Sequence, residues 1–171
     1  RGYVLSANAL HSTEPGLNLS AGQSPPDKSI AVLPFANMSD ENENTHFADG
    51  LTEDLITDLA NVPGFFVIAR TSSFAYKGLS RDTREIAREL GVKYILEGSA
   101  RRSENRMRVN VQLIDAIGGG NHVWAERFDR ELEDIFSVQD EVTRRIVEAI
   151  AGKIQADSNS DKYHPTNLEA Y

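Results

Sequence analysis

Between residues 92 and 130 apolar and polar positions alternate with period two. Tyr94, Leu96, Gly98 and Ala100 interleave with Ile95, Glu97, Ser99 and Arg101. Met107, Val109, Val111 and Leu113 interleave with Arg108, Asn110, Gln112 and Ile114, and Val123 and Ala125 with Trp124, Glu126 and Phe128. Successive side chains leave a strand on opposite sides, so the pattern predicts three strands with one buried face. Residues 103–105 and the glycine-rich stretch 118–121 carry the turn chemistry of hairpins.

Upstream the period changes. Residues 28–35 (KSIAVLPF) form a short, β-branched apolar run closed by Pro34, as in an interior strand of a helix-covered sheet. Phe47, Leu51, Leu55 and Leu59, widened by Ile56, predict a helix over 46–62, stopped at Pro63-Gly64. Residues 65–69 (FFVIA) read as a second buried strand, joined through that helix to a parallel neighbour. Residues 70–78 (RTSSFAYKG) read as a polar-aromatic loop, and 81–90 as a helix with Ile86, Ala87 and Leu90 inward and Gly91 as its stop. Asp134 caps a last helix to residue 154, striped by Ile135, Val138, Val142, Ile146 and Ile150. The order is β-α-β-α-β-β-β-α: an α/β (α+β mixed) fold, one domain at 28–154 with a mixed five-stranded sheet and helices packed on it. Residues 1–27 have linker composition, and 155–171 read as a polar linker leading into the start of another helix.

With 171 residues and 40% hydrophobic content there is enough apolar surface for one core. The chain does not begin with Met and its first ten residues lack a signal-type apolar stretch, so it reads as a piece of something longer. The absence of cysteine excludes disulfide and thiolate chemistry and leaves the compartment open. A net charge of −8 argues against a nucleic-acid partner. Charge is unevenly placed. Residues 40–58 hold seven acidic side chains, Asp40, Glu41, Glu43, Asp49, Glu53, Asp54 and Asp58, with no Lys or Arg, whereas Arg101, Arg102, Arg106 and Arg108 cluster around one hairpin. The two faces are either solvated or complementary docking surfaces. The second reading makes the four arginines interaction residues and allows a weak homodimer through hairpin or sheet-edge contacts.

No catalytic constellation, metal site or cofactor motif emerges. His11, His46, His122 and His164 are scattered, and His46 beside Asp49 reads as a helix-start residue. Ser72 and Ser73 lack a nucleophile-elbow context. Gly118, Gly119 and Gly120 precede a strand instead of a helix, so they are turn glycines and not a phosphate loop. Asp49, Glu53 and Asp54 read as first-turn residues favoured by the helix dipole. Trp124 is expected on one face with His122, Glu126 and Phe128, covered by the last helix. The ligand-binding candidates are Arg70, Ser72, Ser73, Tyr76 and Lys77, which follow the carboxyl end of a buried strand where α/β sheets place their crevices. Phe74 and Tyr76 can equally pack beneath the second helix.

Four stretches together resemble a known family: residues 30–35 (IAVLPF), 47–55 (FADGLTEDL), 90–99 (LGVKYILEGS) and 122–130 (HVWAERFDR). They are similar to the TolB amino-terminal-like domain, related to FlgO-type domains. The resemblance implies a non-catalytic sensory or protein-interaction domain of a bacterial multi-domain signalling protein. There it would lie between an output domain and C-terminal tetratricopeptide repeats, whose first helix residues 166–171 resemble. It also implies that the output is a class III adenylate/guanylate cyclase or a winged-helix transcriptional regulator. In many such proteins a transmembrane helix precedes the domain, which implies a membrane-anchored parent and a periplasmic location. The expected partners are other proteins or a second copy. The alternative reading is a small-ligand receptor domain whose crevice lies near 70–77.

Overall fold

The computed structural model describes residues 24–39 and 42–163; the tail at 1–23, including His11, and the expected repeat helix with His164 lie outside the described residues. The described elements are β1 (Ser29–Val32), β2 (Ala36–Asn37), α1 (Asn42–Ala60), β3 (Phe66–Val67), α2 (Arg70–Phe74), α3 (Thr83–Leu90), β4 (Tyr94–Ser103), β5 (Arg106–Asp115), β6 (Asn121–Glu131) and α4 (Ile135–Tyr163). The mixed sheet runs β3-β1-β4-β5-β6, with β2 also on β4. Strand β1 lies parallel to both β3 and β4, and β4, β5 and β6 are successively antiparallel.

The sheet has six strands where five were expected. The single strand read at 28–35 breaks at Pro34, whose nitrogen has no hydrogen to give the ladder. The register against β4 shifts from Val32↔Leu96 to Ala36↔Ser99 across the break. The Phe35 N–H turns away and donates to Thr52 Oγ1 at 3.0 Å, and that hydroxyl donates to the Ala48 carbonyl at 2.8 Å. The Phe35 ring then lies on Gly98, where an added Cβ would stand 2.6 Å from the ring and 2.2 Å from the Asn110 carbonyl oxygen. Only glycine fits there.

Two further expectations are corrected. The loop at 70–78 begins with a single helical turn, α2, in which the Ser72 and Ser73 N–H groups donate to the Ala69 carbonyl at 3.1 and 3.2 Å. One turn is too short to show a hydrophobic period. The last helix does not end at 154 but runs to Tyr163, although its sequence turns polar. It is held back on the sheet by Tyr94, whose Oη donates to Asp157 Oδ2 at 2.9 Å, and by Ser158, which is buried. The expected caps form, Gly91 closing α3 at φ 71° and Asp134 accepting from the Phe136 N–H at 3.1 Å, while α3 starts at Thr83 instead of 81, with Asp82 as its cap accepting from the Arg84 N–H.

The larger core lies between one sheet face and helices α1 and α4, where Leu51, Leu55 and Leu59 meet Leu96, Val109, Leu113 and the stripe from Val142 to Ile154. A smaller core packs α3 (Ile86, Ala87, Leu90) on Ala31, Leu33 and Ile95 of the opposite face. On that outer face β5 and β6 present polar side chains apart from Ala125 and the buried Ile114, and a cleft opens beside α3.

Candidate functional site

The cleft measures about 970 Å³ and lies at the carboxyl end of β1. Its walls are the 33–37 segment, the first half of α1 (Thr45, Ala48, Asp49), the 76–81 turn, the start of α3 and the outer face of β4, β5 and β6. Strand pairing sets the floor. Ser99, Asn110 and Arg127 stand side by side across three strands, next to a second row of Glu97, Gln112 and Ala125. Gln112 Nε2 donates to Glu97 Oε2 at 2.7 Å, while Ser99 and Asn110 have no side-chain hydrogen bond among the described residues.

The rim is ionic. Lys77 Nζ sits 2.7 Å from Asp49 Oδ2. Arg81 is held by Glu85 at 3.2 Å and by Glu89. Tyr76 Oη donates to Glu89 Oε1 at 2.6 Å. Burial, and then the hydrogen bond to a carboxylate, push the Tyr76 phenol up to about 12. Arg81 and the Tyr76 hydroxyl hold the Glu89 carboxyl below its ordinary range. The outer oxygen of Asp49 is thus engaged by Lys77, while its Oδ1 is buried with no hydrogen-bond partner among the described residues.

Of the five ligand-binding candidates, the structure brings Tyr76 and Lys77 to the cleft. Arg70 does not line it; its Nε pairs with Glu53 Oε2 at 2.9 Å and its guanidinium lies 4.1 Å from the Phe74 ring centre. Ser72 and Ser73 are also outside the lining, and Ser73 is fully buried. Residues 97, 99, 110, 112 and 127 were missed as site residues. Their signal in the sequence is only the polar half of the strand alternation, and which of them become neighbours depends on register.

The hairpin arginines do not form one patch. Arg101, Arg106 and Arg108 share the outer face, while Arg102, opposite Met107, belongs to the inner one. Arg108 Nε holds Asp129 Oδ1 at 2.7 Å, Arg106 lies 3.9 Å from Glu131, and Arg102 Nε donates to the Glu104 carbonyl at 3.2 Å. Arg101 faces Arg108 directly. Arg108 keeps the Asp129 carboxyl below the usual range.

The acidic helix residues are also placed differently from the expectation. Because α1 starts at Asn42, Asp49, Glu53 and Asp54 lie beyond the first turn, where the dipole acts. They are held laterally instead, Asp49 by Lys77, Glu53 by Arg70 and Asp54 by Gln139 Nε2 at 2.7 Å. His46 is likewise inside α1 and exposed, not at its start. In β6 a register shift between Leu113 and Ile114 pairs them with Trp124 and His122, which puts His122 on the face opposite Trp124. Trp124 is half-buried against the larger core with Val147 of α4 nearby in the same cluster. Among the described residues no group of three His, Asp or Glu side chains is arranged to hold a metal ion, and no helix is long and apolar enough to cross a membrane.

The family model for the second domain of HilA/YgeH-like transcriptional regulators matches residues 26–145. The chain belongs to this HilA/YgeH-like second-domain family. It is also 63% identical over 134 residues to a protein of Rhizobium meliloti (strain 1021) that bears an adenylate cyclase name. That match takes in 78% of this chain and 23% of the relative, so the chain spans about a quarter of the relative's length. Among solved structures, a point-substituted PelC dodecamer from Paraburkholderia phytofirmans superposes with a TM-score of 0.52 at 18% identity, over 77% of this chain and 94% of that one. TolB from Acinetobacter baumannii superposes with a TM-score of 0.50 at 21% identity, over 76% of this chain and 29% of TolB. The HilA/YgeH-like second domain here therefore has the TolB-like fold that its motifs resemble.

Proposed function

We propose that this chain is a non-catalytic regulatory domain of a bacterial signalling protein, acting through protein contacts on a class III nucleotide cyclase. The observation that carries this reading is the span of the closely similar stretch. At 63% identity it accounts for 23% of a protein with an adenylate cyclase name, and the same domain is the second domain of a transcriptional-regulator family. A unit attached to two unlike outputs is what those outputs share, and regulation is a role both can use. Cyclisation of a nucleoside triphosphate calls for metal ions held by positioned carboxylates. The cleft offers hydroxyls, carboxamides, an Asp49 carboxylate held by Lys77 and a Glu97 carboxylate held by the Gln112 carboxamide.

The test has two arms. The purified chain with ATP or GTP and magnesium or manganese is expected to form no cyclic nucleotide. Removing residues 26–145 from the parent protein is expected to change the rate of cyclic nucleotide formation without abolishing it. Product from the chain alone, or a parent indifferent to the deletion, overturns the reading. A DNA-binding domain in the parent would assign the transcriptional output that the family match favours.

The cleft favours a second reading, a small-ligand receptor. Its volume falls within the roughly 300–1,000 Å³ of small-molecule sites, with convergent polar groups on a partly apolar wall. A ligand at 100 times its dissociation constant adds about 2.7 kcal/mol of stability, so a metabolite screen by thermal shift detects it. A shift that Ser99→Ala and Asn110→Ala leave unchanged places the ligand elsewhere.

A further inference from the structure

Strand β6 forms one margin of the sheet, and among the described residues no strand pairs with its outer side. The Leu132 N–H donates to the Asn105 carbonyl at 2.7 Å, in line with the register that pairs Arg106 with Glu131. Backbone groups of an antiparallel strand point alternately to its two sides. Residues 124, 126, 128 and 130 therefore bond to β5, and the N–H and C=O groups of Ala125, Arg127, Asp129 and Glu131 point outward, the Asp129 carbonyl keeping one lone pair for a partner beside the bond it accepts from Arg130 Nη1 at 2.9 Å. An exposed edge of this length is a template for another strand.

The order of charge along the edge says which strand. Glu126, Arg127, Phe128, Asp129 and Arg130 read minus, plus, neutral, minus, plus. Turned end for end about Phe128, the segment is its own electrostatic complement. We propose that β6 pairs antiparallel with β6 of a second copy of this chain, about a two-fold axis at Phe128. In that register Arg127 faces the partner's Asp129 on the outer face, and Glu126 faces the partner's Arg130 on the inner face. Each pair occurs twice by symmetry. The outward backbone groups match as well: residues 127 and 129 exchange both bonds across the axis, as do 125 and 131.

No other register in this segment does this. An axis at Glu126, Arg127, Asp129 or Arg130 opposes that residue to its own copy, and like charges directly across a ladder are destabilising. Charge thus selects one alignment. Arg127 is the more available of the two cations, its side chain 59% exposed and its Nε 3.6 Å from Asp129 Oδ2, whereas Arg130 is also held by Glu141 at 2.8 Å. Apolar contact is available at the ends, because the register sets the partner's Trp124 opposite Leu132, beside the point where α4 leaves carrying the exposed Phe136.

Sedimentation equilibrium of the whole chain from micromolar to millimolar tests the pairing. The expected result is a reversible dimer that weakens as salt rises. Amide exchange of residues 125, 127, 129 and 131 is expected to slow with protein concentration, whereas 126, 128 and 130 are protected throughout. Arg127→Pro removes an outward N–H and leaves the β5 ladder intact, so it abolishes the dimer while keeping the melting temperature. Arg127→Asp and Asp129→Arg each raise the dissociation constant by about tenfold or more, and their equimolar mixture forms a heterodimer, each supplying the charge the other lacks. Asp129 also holds Arg108, so if Asp129→Arg does not fold, Arg127→Pro and the exchange pattern decide. A strict monomer at millimolar concentration and low salt overturns the proposal, as does a dimer that Arg127→Pro leaves intact. A mixture no tighter than its components overturns the register. None of these results bears on the regulatory reading above.

Discussion

The face of β4, β5 and β6 turned toward α1 and α4 carries Leu96, Ala100, Met107, Val109, Val111, Leu113 and Phe128, each at most 3% exposed. The opposite face of the same strands carries Glu97, Ser99, Arg101, Arg108, Asn110, Gln112, Arg127 and Asp129. One backbone serves both, because a strand delivers alternate residues to each side. The inner face is closed by two long helices and its side chains are committed to packing. The outer face is covered only where α3 reaches, and its polar groups meet solvent, each other or whatever enters the cleft. Close packing and polar exposure are therefore separated on the two sides of a single sheet, and substitutions on the two faces should differ in kind as well as size.

The largest difference is expected from a core truncation. Leu55→Ala removes a fully buried side chain between α1 and the sheet and should cost about 2–5 kcal/mol in urea unfolding, as other buried Leu truncations do. A loss below about 1 kcal/mol would mean that α1 is not clamped on the inner face. Thr52→Val keeps the shape but leaves the buried Phe35 N–H without its acceptor. It should cost about 1–3 kcal/mol and shift the backbone amide signals around Pro34 and Gly98.

A smaller effect is expected where β6 is tied to α4. Arg130 Nε and Nη2 bond the two Glu141 oxygens at 2.8 and 3.0 Å, and the guanidinium holds the Glu141 carboxyl below its ordinary value. A depressed folded-state value means that the stabilisation is present above the unfolded glutamate pKa of about 4.3 and is lost as pH falls through the lower folded value. Arg130→Met should flatten the acid limb of stability between about pH 5 and 3 relative to the parent chain, measured as urea midpoints, and change neutral pH little more than an ordinary surface pair does. An unchanged acid slope would show that Glu141 does not sense Arg130. The smallest effect belongs to the outer face. Ser99→Ala or Gln112→Ala should stay within about 0.5 kcal/mol of the parent, and a larger loss would mean that the polar rows are part of the structural frame.

Much of the inner side was legible in the chain. The period-two pattern of 92–130, the four-residue steps of Phe47 to Leu59 and the stripe from Val138 to Ile150 gave the right elements and, apart from His122 beyond the register shift, the right buried faces, since burial on one side imposes its period on the sequence. The capping roles of Asp82, Gly91 and Asp134 are local and need no tertiary partner for their geometry, although only Gly91 and Asp134 were read in advance. The second strand and α2 were not legible. Strand β2 exists because Pro34 interrupts a ladder whose other side comes from residues 94–103, and α2 is shorter than any period. The cleft was legible in one wall only. Tyr76 and Lys77 could be found because they follow a buried strand, but Arg70 was drawn off by Glu53 and Phe74, and the floor comes from three strands at once.

What the sequence determined by itself is the partition of side chains between an apolar and a polar face, along with the helices, turns and caps that follow from it. It also holds the charge order of residues 126–130. The tertiary structure alone decided the register. Pairing Ser99 with Asn110 and Asn110 with Arg127 turns residues far apart in the chain into neighbours on one floor. Placement of β6 at the margin, with the Leu132 N–H directed to Asn105, decides which of its amides look outward. Alternation along a strand is a one-dimensional property that hydrophobic burial writes into the chain. The lateral order of strands is set by long-range hydrogen bonding and packing together, and no single segment encodes it.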